Sequence, residues 1–149
     1  MLIKEVLFIA CKGFVDERLE TIQSVIRSNK LALASETKSS AGDKHETGRA
    51  MLQLEMEKAA HQLQSVQTMK DALAKIDVSK ISKIAHLGSV VETNKGVYFL
   101  SISAGKITVQ GKDYFAVSIA SPIGKSLLGK KEKDEFVFNG KHYIIKVLS

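Results

Sequence analysis

Two acids three positions apart, Asp43 and Glu46, sit in the stretch 39–49, "SSAGDKHETGR". Carboxylates at i and i+3 lie on one side of a helix. Such a pair can share a divalent cation, since Mg²⁺ takes one or two protein carboxylates and keeps several waters. No third or fourth protein ligand stands nearby in the sequence, so a metal site here needs ligands from a partner. The same spacing has a structural reading. Asp at an N-cap with Glu at N3 forms a capping box worth roughly 1 kcal/mol, and both charges suit the positive end of a helix. A competing register caps with Ser40 and puts Asp43 at N3. Spacing alone leaves these readings open. His45 lies between the acids, but a lone exposed His is more often solvated than a zinc ligand.

Other chemistry finds little support. His61, His86 and His142 show no ligand spacing with one another. Cys11 has no supporting His/Asn pattern and lies in an apolar run, which reads as packing. As the only cysteine, it excludes a disulfide framework and points to a reducing, cytoplasmic setting. The segment "GKSLLGK" contains Gly-Lys-Ser, but Pro122-Ile123 precede it without the first Gly of a phosphate loop. With no Ser/His/Asp signature, cofactor loop or complete metal site, a free-standing metabolic enzyme acting on a small molecule is disfavoured.

The acids must be held by long helices. Residues 2–38 contain no proline, and apolar residues recur at helical spacing: Val15, Leu19, Ile22, Ile26, Leu33. The start is apolar on more than one face (Leu2, Ile3, Val6, Leu7, Phe8, Ile9), so it should pack on something larger than one helix. Gly13 weakens the helix locally. A second helix carries Leu52, Met56, Ala59, Leu63, Val66, Lys70 and Leu73 in alternating steps of four and three. That is a heptad seam with Lys70 as a polar intrusion, ending near Ile76-Asp77. The Ser/Gly-containing connection between the helices predicts an antiparallel coiled-coil hairpin over 1–77, with its tip near 39–46 and a length of about 50 Å. The turn signals disfavour an intermolecular parallel coiled coil.

From Ile81 the period changes to two. Hairpins are predicted around Asn94-Lys95-Gly96, around residues 110–113, and at Asn139-Gly140, the strongest turn dipeptide in the chain. Between the last two, Ser121 can cap a short helix with Pro122 at its first position. Ile123, Leu127 and Leu128 supply its apolar face, and Gly129 ends it. The prediction is an α+β protein: the hairpin, a linker at 78–83, and a small, mostly antiparallel β domain with one short helix over 84–149.

Composition agrees with a folded chain: 44% of residues are hydrophobic and 26% charged. Sparse aromatics and the absence of Trp suit a chain that is partly coiled coil. Residues 1–77 carry 11 Lys and Arg against 11 Asp and Glu, while residues 78–149 carry 11 Lys against 5 acids, so the net charge of +6 lies wholly in the second half. A basic domain suits an acidic or polyanionic partner, although on charge alone a Lys-rich soluble surface is the commoner explanation. The stretch "MLIKEVLFIACKGF" is broken by Lys4, Glu5 and Lys12, so it reads as neither signal peptide nor membrane span.

Two motifs in this order, "GDKHE" and "SPIGKSLLGKKEKDEF", on a hairpin followed by a β domain, resemble the bacterial Gre transcript-cleavage factors. The resemblance spans nearly the whole chain. It implies an FKBP-like β domain that binds RNA polymerase, and a hairpin that enters the secondary channel. It implies roles in transcription elongation and regulation, DNA binding among them. Asp43 and Glu46 fall on the two tip acids that help hold a Mg²⁺ jointly with the polymerase, which then hydrolyses its own backtracked transcript. Ser121, Pro122, Ile123, Gly124, Leu127, Gly129 and Lys130 fall on the polymerase-binding signature. The resemblance also implies that the basic residues near the tip, Lys38, Lys44 and Arg49, lie near the nascent RNA 3′ end. The chain departs from the family after Glu46, where Thr47-Gly48-Arg49 stands in place of an Asn and an aromatic residue. Two alternatives follow: a regulator or inhibitor of the same fold that does not stimulate cleavage, and a coiled-coil adaptor unrelated to polymerase.

Overall fold

A computed structural model describes residues 2–38 and 43–149, with the side chains of residues 36–38 and 43–46 outside the description. Two helices open the chain: α1 (Ile3–Lys38) and α2 (Asp43–Ala74). On α1 the buried positions Val15, Ile22 and Asn29 are seven apart, with Leu19, Ile26 and Leu33 half-buried between them. On α2, Ala59 and Val66 are buried, and Leu52, Met56 and Leu63 are half-buried. This alternation of three and four is a coiled-coil seam. Four residues connect the helices, far too few to run back along α1, which at 1.5 Å per residue is about 54 Å long. Helices that pack side by side across so short a link are antiparallel.

The seam differs from expectation at two places. Lys70 is exposed, and Met69 beside it is half-buried. A lysine at a seam edge can carry its amine out to water, while a flexible thioether fills the irregular space. The polar residue inside the seam is instead Asn29. It is 6% exposed, and its Nδ2 has no hydrogen-bond partner among the described residues.

The chain divides into two compact units, Val15–Met69 and Met1–Phe14 together with Lys70–Ser149. The second holds a six-stranded sheet: β1 (Val90–Thr93), β2 (Val97–Ser101), β3 (Gly105–Val109), β4 (Lys112–Ser118), β5 (Glu135–Phe138) and β6 (Lys141–Leu148), in the order β3-β4-β2-β1-β6-β5. All three predicted hairpins form. Gln110-Gly111 and Asn139-Gly140 take positive φ at both loop positions, the paired left-handed geometry of two-residue hairpin turns. The β1–β2 turn is closed by Thr93, whose Oγ1 donates to Gly96 O at 2.8 Å.

The sheet is mixed rather than wholly antiparallel. β2 and β4 pair in parallel, with Tyr98 opposite Phe115 and Leu100 opposite Val117. The chain leaves β2 for the sheet edge at β3, then returns through β4 between them, so β4 runs the same way as β2.

Side chains alternate across a strand, and both faces of this sheet are covered. Val91 and Leu100 face a core with Leu127, Ile145 and Leu148, against which Tyr98, Val117 and Phe136 pack. α3 (Pro122–Leu127) contributes Leu127 to that side. On the opposite face lie Phe99 and Ser101, both buried. There Ser101 Oγ meets Cys11 Sγ at 3.6 Å, which places the first turns of α1 on that face. Leu7 is fully buried as well. The sheet thus accounts for part of the apolar start of α1, while Leu2 and Ile9 remain exposed. Among the described residues no helix is long and apolar enough to cross a membrane.

Candidate functional site

α2 begins at Asp43. The first acid is therefore the first helical residue rather than the residue just before it, and Glu46 lies in the same first turn. Orphan backbone N–H groups and the positive end of the helix dipole favour carboxylates there. The side chains of Asp43 and Glu46, and those of Lys38, Lys44 and His45, lie outside the described residues, as does the alternative cap Ser40. Arg49 is exposed in the next turn. What α2 supplies is two carboxylate-bearing positions on one side of one helical turn. Carboxylate oxygens are the donors Mg²⁺ prefers, so the donor chemistry fits that ion, though two positions fall short of a full set.

Two of the described histidines are engaged elsewhere. His86 Nδ1 lies 2.8 Å from Ser89 Oγ and 3.2 Å from Ile84 O, and His142 Nε2 lies 3.7 Å from Glu135 Oε2. Among the described residues no group of three or more His, Cys, Asp or Glu is gathered as a metal site. Burial pushes the Cys11 thiol pKa above its ordinary value, partly offset by the contact with Ser101. Cys11 is thereby a packing residue rather than a nucleophile.

The predicted partner-binding residues fall together in one segment around α3. Ser121 caps the helix: its Oγ accepts from Gly124 N at 3.2 Å and donates to Ser118 O at 2.5 Å. Pro122 stands in the first turn, and Gly129 takes a left-handed φ of 82° after the helix ends. Gly124 has a steric reason. A Cβ there would stand 1.9 Å from Ser118 O, so α3 approaches the end of β4 as closely as only glycine permits. Leu127 is fully buried and Ile123 half-buried, while Pro122, Lys125, Leu128 and Gly129 are exposed. Leu128 thus faces solvent instead of completing the apolar face of the helix. Lys130 Nζ stands 6.0 Å from the centre of the Phe136 ring, which stacks on Tyr143 at 5.0 Å. Burial first, and then the hydrogen bond with Tyr143, push the Tyr98 hydroxyl pKa up to about 12.

No family model matches the chain. A curated relative, "Transcription elongation factor GreA" of Streptococcus gordonii, is 45% identical to it over 64 residues. Over that stretch the chain is similar to a Gre factor. The match takes in 43% of this chain and 37% of the relative, so it spans little more than a third of the relative's length. The residue-level resemblance and this identity point to the same family, and the helical pair followed by an α+β sheet domain is the architecture that the resemblance implies.

Leu128 and Lys125 are exposed on this segment and are not among the residues that the resemblance assigns to a partner. Hydrophobicity marked Leu128 as part of the α3 face, but a six-residue helix has room for little more than one fully buried turn position. Only the C-cap geometry, with Leu128 N donating to Gly124 O at 2.9 Å and a ψ of 130° turning the chain away, reveals its exposure.

Proposed function

We propose that this chain is a transcription elongation factor that binds RNA polymerase and stimulates cleavage of backtracked RNA in the cytoplasm. The observation that carries the reading is the 45% identity to a transcription elongation factor. The two acids in the first turn of α2 support it. In this reading the exposed part of the α3 segment, with Pro122, Leu128 and Gly129, meets the polymerase, and Lys130 lies at its margin. Asp43 and Glu46 are presented to the polymerase active centre, where they hold a shared Mg²⁺ and orient the attacking water. Arg49 and the lysines at 38 and 44 attract the RNA 3′ end. The cation, when bound, stabilises the attacking and leaving oxygens of the displaced phosphodiester. This makes the chain an accessory to the polymerase's own hydrolysis.

The test is a transcript-cleavage assay on stalled, backtracked complexes of the cognate polymerase. Asp43→Asn with Glu46→Gln should reduce stimulated cleavage by roughly 100-fold or more, while binding to polymerase persists. Undiminished cleavage by that variant rejects the role of the acids. Thr47-Gly48-Arg49 after Glu46 favours a second reading, in which the chain occupies polymerase without promoting cleavage. Slower elongation with no shortened transcripts from the wild-type chain selects that reading.

A further inference from the structure

The segment before β1 and the loop after α3 enclose a groove of about 600 Å³, lined by Ile81, Ser82, Lys83, Lys131, Glu132 and Leu148. Ile81 is 80% exposed, more than any other large hydrophobic among the described residues. Its neighbourhood is held in place on both sides. Lys4 Nζ donates to Lys80 O at 2.7 Å, and Ser79 N donates to Asp77 Oδ1 at 2.9 Å. Ala85 N donates to Lys130 O and Gly129 N donates to Ala85 O, both at 2.8 Å. Across the groove, Lys133 N donates to Ile145 O at 2.8 Å and Lys131 N to Asp134 Oδ2 at 2.8 Å. An apolar side chain therefore stands in water on an anchored backbone, beside a groove that already exists.

The charge around it is positive on balance, with Lys80, Lys83, Lys131 and Lys133 against Glu132 and Asp134. Glu132 Oε1 accepts from Leu148 N at 3.1 Å, and Asp134 accepts from the backbone of Lys131. Both local acids are turned toward backbone donors. Lys83, Lys131 and Lys133 make no ion pair among the described residues. Preformed walls reduce the ordering cost of binding, and unpaired ammonium groups favour an acidic ligand.

We propose that this groove is a docking site for an extended acidic peptide segment carrying a bulky apolar side chain. The apolar side chain packs on Ile81 and Leu148, and flanking carboxylates pair with Lys83 and Lys131. A nucleic acid fits less well. The lining has no aromatic ring on which a base could stack and no arginine. The site is independent of the acids at the start of α2, and its test needs only this chain.

The probe is a capped peptide, Glu-Asp-Leu-Phe-Asp-Glu, titrated into ¹⁵N-labelled chain and followed by amide shifts. Expected are saturable shifts confined to residues 80–84, 131–133 and 148, with a Kd below about 1 mM. Replacing Leu-Phe by Gly-Gly in the peptide should weaken binding about tenfold, as should Lys83→Glu with Lys131→Glu in the protein. Lys83→Arg with Lys131→Arg keeps the charge and should bind within about twofold of wild type, so a misfolded reversal variant cannot decide the matter. Shifts spread over lysines throughout the domain overturn the proposal. So does the absence of saturable shifts, or a six-nucleotide oligouridine that shifts the same amides at equal or lower concentration.

Discussion

Around the sheet, Phe99, Leu100, Leu127 and Ile145 are enclosed by layers on both faces, whereas between Val15 and Met69 a single seam buries one side of each helix. The sheet unit is specified by unlike parts: a glycine pressed against a carbonyl, a capped six-residue helix, left-handed turns and the covering turns of α1. The helical pair is specified by one rule repeated every seven residues, with one polar exception at Asn29. A layered core fails at a point when one volume changes. A repeating seam spreads a change along its length, and it can even gain from one.

The sharpest way to break this comparison is Gly124→Ala. The added carbon meets a backbone oxygen, which cannot rotate away as a side chain can, so the expected loss is about 3 kcal/mol. It is read as a fall in the urea midpoint at unchanged m-value. A loss below about 1 kcal/mol would mean that α3 can shift, and the sheet unit would then be as forgiving as the seam.

Asn29→Leu probes the other side with the opposite sign. Replacing a buried amide that lacks a partner with an apolar side chain should stabilise the helical pair by roughly 1–2 kcal/mol. The gain should appear as slower amide exchange in α1 and α2 on either side of the substitution. Destabilisation would show that the amide has a partner and that the seam, too, depends on an individual contact.

The smallest effect is at Asp77, where α2 gives way to the segment before β1. Hydrogen bonds from Ser79, side chain first and then backbone, lower its pKa from 3.8. A depressed carboxyl pKa contributes stability above the unfolded value, and that stability is lost as pH falls through the folded value. Asp77 is fully exposed, so the contribution is modest. Denaturation at about pH 5 and about pH 3 should show wild type losing slightly more stability on acidification than Asp77→Asn. Identical losses would remove Asp77 from the anchoring of this segment.

The legible part of the fold was the part written locally. Steps of three and four placed both helices and most of the seam. Turn dipeptides such as Asn139-Gly140 placed all three hairpins, because positive φ at two adjacent residues selects Asn and Gly. Ser121 and Pro122 announced the start of α3. What stayed hidden depends on residues far apart in the chain. The parallel pairing of β2 with β4 leaves no mark in the alternation of either strand, since period two is the same for both directions. Asn29 falls outside any apolar repeat, since Asn is usually exposed, yet it holds a seam position. Lys70 held a seam position by count and is solvated in fact, where Met69 competes for the space. For the candidate site, the sequence placed Asp43 and Glu46 in one turn and gathered the α3 segment. It did not separate the members of that segment that hold the fold, Gly124 and Leu127, from those open to a partner, Pro122 and Leu128, since burial is decided by the strands beneath.

The contact between Cys11 and Ser101 joins residues 90 positions apart. On a ribosome adding 5–20 residues per second, Leu7 and Cys11 emerge roughly 5–18 s before the strand that covers them. Through that interval the Cys11 side of α1 lacks the strand against which it packs. Translation that stops short of β2 leaves a nascent chain with its seam complete and its leading end bare, a natural target for chaperones and proteases.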